Sequence, residues 1–508
     1  MASDQDIANR IPITGALMLA TLMSTLDSTI ANVALPHMQG SLSASQDQIT
    51  WVLTSYIIAT ALMTPLSGWL SQKIGRKRML LLSIGGFTIA SMLCGVATNL
   101  PEMVAFRLLQ GVAGAALMPL SQTVMLDLYP QRLIPRVMSL WSAAVILGPI
   151  LGPTLGGWIT ENLTWRWVFY INLPIGIIAT VGLYTVMAKD PGGRQRPFDF
   201  LGFGALVAFI GGFQVLMDRG PTQDWFASRE IWFETAIAAG GFWVFVVQTA
   251  TAEHPFFHRD LAKDANFVGT AIFGLFVGVL LFSTTALLPS FMQQLLGYSA
   301  LQSGIASVPR GVGSLVSFLI VPLVMARLGP RTALIIGLAI SIAALGMMGR
   351  FDLMMTAQPI MVSGFIQGLG TGLLFAPLTT LAYVTLDPIH RVEGTIVSTM
   401  ARSLGSSAGI SIVQAMVIRT SAAAHSRLAD GIDPSNPLIR YALPAFMDPT
   451  QATGLLTLNA EVTRQAAMIG YVNVFSWMAL ALVLLLPLIL MLRPTRGLRI
   501  ERPDVHAD

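Results

Sequence analysis

Charge is scarce in this chain. Of its 508 residues only 11% are charged, 30 Lys and Arg against 26 Asp and Glu. A water-soluble domain carries about a quarter, so that class is excluded. There is one cysteine, Cys94, which rules out an intramolecular disulfide and any Cys-x-x-Cys motif; set in an apolar run, it reads as a small buried hydrophobe. The six histidines, His37, His254, His258, His390, His425 and His506, are dispersed along the chain. None shows zinc-ligand spacing, and no metal site is expected. No Walker A sequence is present, so ATP is not expected as the energy source and no cofactor is implied. "GSSAG" at Gly405 fits a nucleophile pattern but lies inside an apolar run with no strand before it, and no enzyme activity is expected. The net charge of +4 is spread over short loops and not gathered on one face, which argues against a nucleic-acid partner.

What the chain has is apolar length. With 54% hydrophobic residues it holds more apolar surface than a soluble core could hide, and reads as an all-α protein crossing the bilayer many times. The opening "MASDQDIANR" has two aspartates where a signal peptide is basic, and the run after it is long enough to span, so the first helix is expected to be retained. Fourteen runs can be placed, near 13-36, 48-70, 79-98, 103-126, 137-159, 168-188, 200-217, 231-250, 265-291, 303-325, 332-348, 358-384, 395-418 and 469-492. An even number puts both termini on one side. The basic segments "SQKIGRKR", "YPQRLIPR", "KDPGGRQRP", "ARLGPR" and "RPTRGLRIER" share that side, which the positive-inside rule makes cytoplasmic. Opposite loops such as "HMQGSLSASQDQ" lack Lys and Arg. Residues 419-468 are expected to form a long outer loop packed on the outer surface.

The chain repeats itself. "LDSTIA" at Leu26 recurs as "LFSTTA" at Leu281, "KIGRK" at Lys73 as "RLGPR" at Arg327, and "LLQGVAG" at Leu108 as "FIQGLGT" at Phe365, offsets of 254 to 257 residues. Each pair falls on equivalent helices of the same orientation, so the halves are parallel six-helix repeats of the kind that place a substrate site between two lobes. The expected division is 1-198 for the first lobe, 199-264 for a two-helix insertion with a linker, 265-492 for the second lobe and 493-508 for a cytoplasmic tail.

Against this apolar background the ions stand out. An ionised Asp at the centre of a membrane helix costs about 2.5 to 3.5 kcal/mol on insertion scales, and Asp27, in "LDSTIANVALP", is the one acid placed deep in a span. Arg107, Arg310 and Arg402 are also embedded. Asp27 and Arg107 lie at similar depth in the same repeat, where they can meet. Either they are a static pair, or the carboxylate takes up and releases a proton as its surroundings change. The second half has Phe282 and Gly364 at the equivalent positions, so the pair belongs to one lobe only. In "KIGRK", Gly75 permits a tight turn, and the charges either fix topology or take part in gating. Gly148, Gly152 and Gly156 recur every four residues beside Pro149 and Pro153, forming a smooth face for close helix approach, whether fixed or sliding. Gln110, Met118, Gln214, Gln293, Arg310, Gln367 and Arg402 are candidates for a substrate cavity, to which adaptable methionine is suited.

Four motifs make the sequence resemble the major facilitator superfamily, within it the fourteen-helix drug:proton antiporters of the EmrB/QacA type. They are "LDSTIANVALP", "GWLSQKIGRKR" (Gly68 to Arg78), "RLLQGVAGAA" (Arg107 to Ala116) and "LGPILGPTLGG" (Leu147 to Gly157), followed by the subfamily-like "WRWVFYINLPIG". The resemblance implies two six-helix lobes plus two additional helices. It also implies export of amphipathic drugs in exchange for protons, powered by the proton gradient across a bacterial inner membrane. Asp27 and Arg107 would couple protons; Gly68, Gln72, Lys73, Gly75, Arg76 and Lys77 would form a gating loop; Gly148, Pro149, Gly152, Pro153, Gly156 and Gly157 would form the antiporter motif. Gln72 departs from the pattern, which usually has aspartate there, so the gate is expected to be held differently. In a host with an outer membrane, a periplasmic adaptor and an outer channel are implied partners. The competing reading is a proton-coupled symporter or facilitator for a defined polar metabolite.

Overall fold

The computed structural model describes residues 9–49, 51–130, 133–188, 197–432, 444, 447 and 451–491. Among them there is no strand, and fourteen long helices account for the architecture. In chain order they are α1 (Arg10–Ser41), α2 (Trp51–Ile74), α3 (Arg76–Val96), α4 (Leu100–Leu128), α5 (Ile134–Asn162), α6 (Trp167–Val186), α7 (Phe200–Arg219) and α8 (Arg229–Thr251). The second half supplies α9 (Ala265–Gln294), α10 (Ala300–Leu328), α11 (Pro330–Met348), α12 (Ala357–Val384), α13 (Arg391–Asp430) and α14 (Ala452–Val483). Thirteen are long and apolar enough to cross a membrane; α13 is the exception, diluted by Arg391, Glu393, Arg402 and a run of Ser and Thr.

Helix starts have local causes. Asn99 accepts the Glu102 N–H at 2.9 Å at the head of α4, and Ser299 with Gln302 forms a reciprocal capping box on α10. Asp264 accepts from Asn266 and Phe267 at the start of α9. Asp199 caps α7 through Gly202 and also accepts from Gln248 of α8 and the Phe256 N–H, tying the helix pair to its linker.

Two groups of six result. In the first, α1 packs on α5 and α6, and α2 and α3 on α4; in the second, α9 packs on α13, α10 and α11 on α12, and α14 on α13. The groups meet along a seam where α5 faces α10 and α12, and α4 and α2 face α13. We call the end of the bundle bearing Arg76, Lys77 and Arg391 the basic end.

The helix pair between the groups is asymmetric. α8 turns Phe233, Phe242 and Trp243 outward, as a helix bathed in lipid would. α7 sits at the seam: Thr54 of α2 donates to Asp218 Oδ2 at 2.9 Å, and Ser411 of α13 donates to the Met217 carbonyl. Gln214, considered above for a substrate cavity, lies buried on α7.

One expectation is corrected. Residues 419-468 are not mainly a loop: α13 runs on to Asp430 and α14 begins at Ala452. The cause is composition. "RTSAAAHSRLAD" and "LNAEVTRQAA" are good helix formers without proline, so the helices continue past the apolar runs that the bilayer demands. They stay paired there, with a Cβ at Gly470 overlapping Ser421 and with His425 Nε2 3.2 Å from Asn459 Oδ1. The turn-rich "DGIDPSNP" and "FMDPTQ" lie largely outside the described residues, as do 189-196 and the tail from 492.

Candidate functional site

Asp27 is fully buried in α1 and surrounded by donors. Arg107 Nη1 of α4 donates to Oδ2 at 2.7 Å, while Oδ1 accepts from Gln110 Nε2 and from Asn172 Nδ2 of α6, each at 2.9 Å. Arg107 is held in turn: Nε donates to the Val52 carbonyl of α2 at 2.9 Å, Nη1 also to Gln110 Oε1 at 2.8 Å, and the guanidinium lies over the Tyr56 ring at 4.6 Å. Ser91 of α3 links Asn172 to the Phe169 carbonyl. Arg107 Nη2 and Asn172 Oδ1 lack a partner. Five helices of the first group thus converge on one carboxylate with no exposed surface. Such a pair is satisfied only while both members are charged; protonating Asp27 would strand a buried guanidinium, so the proton and the Arg107 environment must change together.

The sequence named Asp27 and Arg107, and the fold brings them together. It did not identify Asn172, which lies inside the "WRWVFYINLPIG" segment, and it assigned Gln110 to a substrate cavity, whereas Gln110 bridges the pair.

The α5 glycines press against the helix that carries Asp27. A Cβ at Gly148 would come within 2.5 Å of the Thr25 backbone carbonyl carbon, one at Gly152 within 2.9 Å of Thr29 Cβ, and one at Gly156 within 3.1 Å of the Ile30 carbonyl oxygen. Thr29 Oγ1 donates to the Gly148 carbonyl at 3.2 Å, and Gly157 is also buried. Pro149 and Pro153 stand half-buried beside this face. The opposite side of α5 meets the second group, where a Cβ on Gly304 of α10 would lie 3.1 Å from Thr154 Cα.

At the basic end the groups are clamped. Asp127 at the end of α4 accepts from Arg76 Nη1 at 2.5 Å and from Arg391 Nη1 of α13 at 3.0 Å. Thr123 and Thr395 hydroxyls are 2.7 Å apart across the seam, and a Cβ on Gly68 would overlap Ile396. Gly75 has φ +92°, a backbone that disfavours any side chain, and it turns α2 into α3. Lys77 donates to the Tyr184 carbonyl at 2.8 Å, Lys73 lies 4.8 Å over the Trp69 ring, and Gln72 is half-exposed. An acid does hold this loop, but Asp127 supplies it, from another helix. The two groups therefore touch at the basic end, through Asp127 with Arg391 and Thr123 with Thr395, and again where α5 meets α10 at Thr154 and Gly304.

The remaining cavity candidates scatter. Met118 packs half-buried on the first core, and Gln293 is exposed near the end of α9. Arg310 on α10 lies over Gly364, 3.6 Å from the position of a Cβ there, and Gln367 is fully buried with neither polar atom partnered. Arg402 donates to Thr399 Oγ1 at 3.3 Å and bounds a small cavity with Thr270, Gly274, Leu378, Tyr383 and Ser398. Gln122, Trp141 Nε1, Ser142 Oγ and Tyr383 OH are further buried polar groups without a protein partner, on helices of the seam. Sequence reasoning did not name them, since nothing in the local sequence tells which polar residues of a span face the seam.

The histidines are not all dispersed in space. His258 Nδ1 is 3.0 Å from Asp260 Oδ2, His390 Nε2 is 3.9 Å from the same oxygen, and the two ring centroids are 4.4 Å apart with the planes tilted by 32°. Lys263, donating to Asp260 Oδ1 at 2.7 Å, holds that carboxyl below the usual carboxylate range.

Comparison with known proteins agrees with this architecture. The multidrug export protein EmrB of Escherichia coli K12 is 34% identical over 94% of both chains, and the fatty acid resistance protein FarB of Neisseria gonorrhoeae is 34% identical over 95% of this chain and 96% of its own. Among solved structures, the human organic anion transporter MFSD10 superposes with a TM-score of 0.61 at 14% identity, covering 93% of this chain and 99% of its own. The proton:xylose symporter XylE does so with 0.57 at 14%, covering 92% and 94%. At those identities the two structures speak for the fold. Residues 17–410 match the family model described as Major Facilitator Superfamily. The chain is a multi-pass membrane protein and belongs to the Major Facilitator Superfamily, in the branch of the EmrB-type multidrug exporters.

Proposed function

We propose that the protein exports amphipathic or lipophilic compounds across the bacterial inner membrane in exchange for protons, by alternating access between its two six-helix groups, and is not an enzyme. Asp27 carries this assignment. It is one fully buried carboxylate, tied through Arg107, Gln110 and Asn172 to four other helices and absent from the second repeat. A proton arriving from the outer side neutralises Asp27 and releases Arg107; the first group then relaxes, and the proton leaves inward when the cage re-forms. The proton shifts the balance between conformations only through its differential affinity for them. The glycine face of α5 is where α1 can slide, and the Asp127 clamp is the inner gate. The basic end faces the cytoplasm, with both termini on that side. Gln122, Trp141, Tyr383, Gln367, Arg310 and Arg402 supply polar contacts to substrate along an otherwise apolar seam. The proton gradient is the energy source, with no cofactor. In a host with an outer membrane, a periplasmic adaptor and an outer channel complete the route.

The test is expression in a drug-hypersensitive bacterium, scoring resistance to a panel of lipophilic cations and weak acids with and without a protonophore. Resistance abolished by the protonophore is expected. Resistance that persists after the proton gradient is collapsed would refute proton coupling, and no resistance beside uptake of a polar solute would refute export.

A further inference from the structure

We propose that His258, Asp260 and His390 form a binding site for one divalent late transition-metal ion of the Zn2+ type at the basic end of the bundle. The site is separate from Asp27 and does not rest on the export reading.

One ligand atom from each residue lies within 4.8 Å of the others. A tetrahedral ion with metal–ligand distances of about 2.0 to 2.2 Å sets its ligands about 3.3 to 3.6 Å apart. The two distances to Asp260 Oδ2, 3.0 and 3.9 Å, bracket that value; the imidazole nitrogens, within 4.8 Å of each other, close onto one ion by turning the rings, and His258 Nδ1 gives up the 3.4 Å hydrogen bond it accepts from the Asp260 N–H. Two imidazoles with one carboxylate suit a borderline ion; Mg2+ and Ca2+ take oxygen ligands.

The surroundings are already arranged. Lys263 occupies Asp260 Oδ1 and leaves Oδ2 toward the imidazoles, and the His258 backbone N–H donates to Glu393 Oε2 at 2.8 Å. These contacts orient the ligands before any ion arrives. His390 ends the short turn Pro388–His390 before α13, and Asp260 opens a single helical turn before α9. The side chains are 39%, 46% and 15% exposed, so an ion reaches them from water and a water can complete the coordination. An ion held here ties the linker before α9 to the head of α13. The next residue, Arg391, grips Asp127 across the seam, so the ion favours the clamped arrangement.

The test uses the full chain, purified in detergent without a polyhistidine tag and stripped of metal. Zn2+ calorimetry is expected to give one saturable equivalent, weakened about tenfold or more in His258→Ala, His390→Ala and Asp260→Asn. His37→Ala and His254→Ala should bind like the wild type. Co2+ should show the intense visible bands of a tetrahedral ion, a readout on the wild type that decides even if a histidine variant fails to fold. Absence of saturable binding, binding unchanged in the three site variants, or the pale spectrum of octahedral Co2+ would overturn the proposal.

Discussion

Replacing Asp27 by Asn keeps the shape of the side chain and removes its charge. In the wild type both oxygens accept, one from Arg107 and the other from Gln110 and Asn172. An asparagine has one carbonyl oxygen and one amino group, so whichever way it turns, a donor faces a donor. Arg107 loses its anion where it has no exposed surface and where Nη2 already lacks a partner. Stranding one member of a buried pair costs about 3 to 5 kcal/mol, which at about 1.4 kcal/mol per decade is a shift of about two to four orders of magnitude between conformations. That cost falls on the caged conformation and is relieved wherever Arg107 meets water. The Asn variant should therefore bind drug within a few-fold of wild type, unfold at lower temperature, and fail at uphill, pH-driven export from liposomes. Asp27→Glu should retain part of that export, since the longer acid still titrates. Adding Arg107→Gln to Asp27→Asn should recover thermal stability without recovering export, because the stranded charge is gone but no proton is carried. Uphill export by the Asn variant with unchanged proton dependence would sink this account of coupling.

Gly148→Ala places a methyl 2.5 Å from the backbone of Thr25, so α5 and α1 must separate at a cost of about 1 to 3 kcal/mol; transport should fall far more than membrane expression, and equal falls would point to misfolding. Asp127→Asn removes the negative charge and one of the two oxygens that accept from Arg76 and Arg391, so a cysteine at Thr395 should react faster with a water-soluble maleimide applied at the basic end; an unchanged rate would mean that the clamp does not hold the seam. Asn172→Leu leaves Asp27 one donor short and should displace the pH dependence of export while sparing drug binding; an unmoved pH profile would make Asn172 a packing residue only.

The membrane-spanning helices were legible because a bilayer fixes how much apolar chain is needed, but the bilayer says nothing about where a helix stops. Residues 395-418 marked the apolar part of α13, while the helix itself runs from Arg391 to Asp430 on alanine-rich, polar sequence. Asp27 and Arg107 were readable because buried charges are costly and these two lie in one repeat. Asn172 and Gln110 carry no such penalty, so their place beside the carboxylate became visible only in three dimensions. The absence of Asp at Gln72 was readable; that Asp127 supplies the missing charge was not, since it comes from a different helix. His258 and His390 meet because the linker before α9 passes the head of α13, a property of topology that no local spacing records.

α13 is forty residues long, about 60 Å at 1.5 Å per residue, twice the hydrocarbon thickness of a bilayer. Near its middle, Gly405 and Gly409 lie against the backbone of Leu275 and Val279 on α9, which makes that contact a fulcrum. A tilt of about 10° about it moves each end by about 5 Å in opposite directions. Moving as one rigid piece, the helix draws Arg391 away from Asp127 at one end as it swings the end near His425 and Asn459 at the other. For a helix that moves in this rigid way, whatever grips the end near His425 bears on the Arg391–Asp127 contact at the other end.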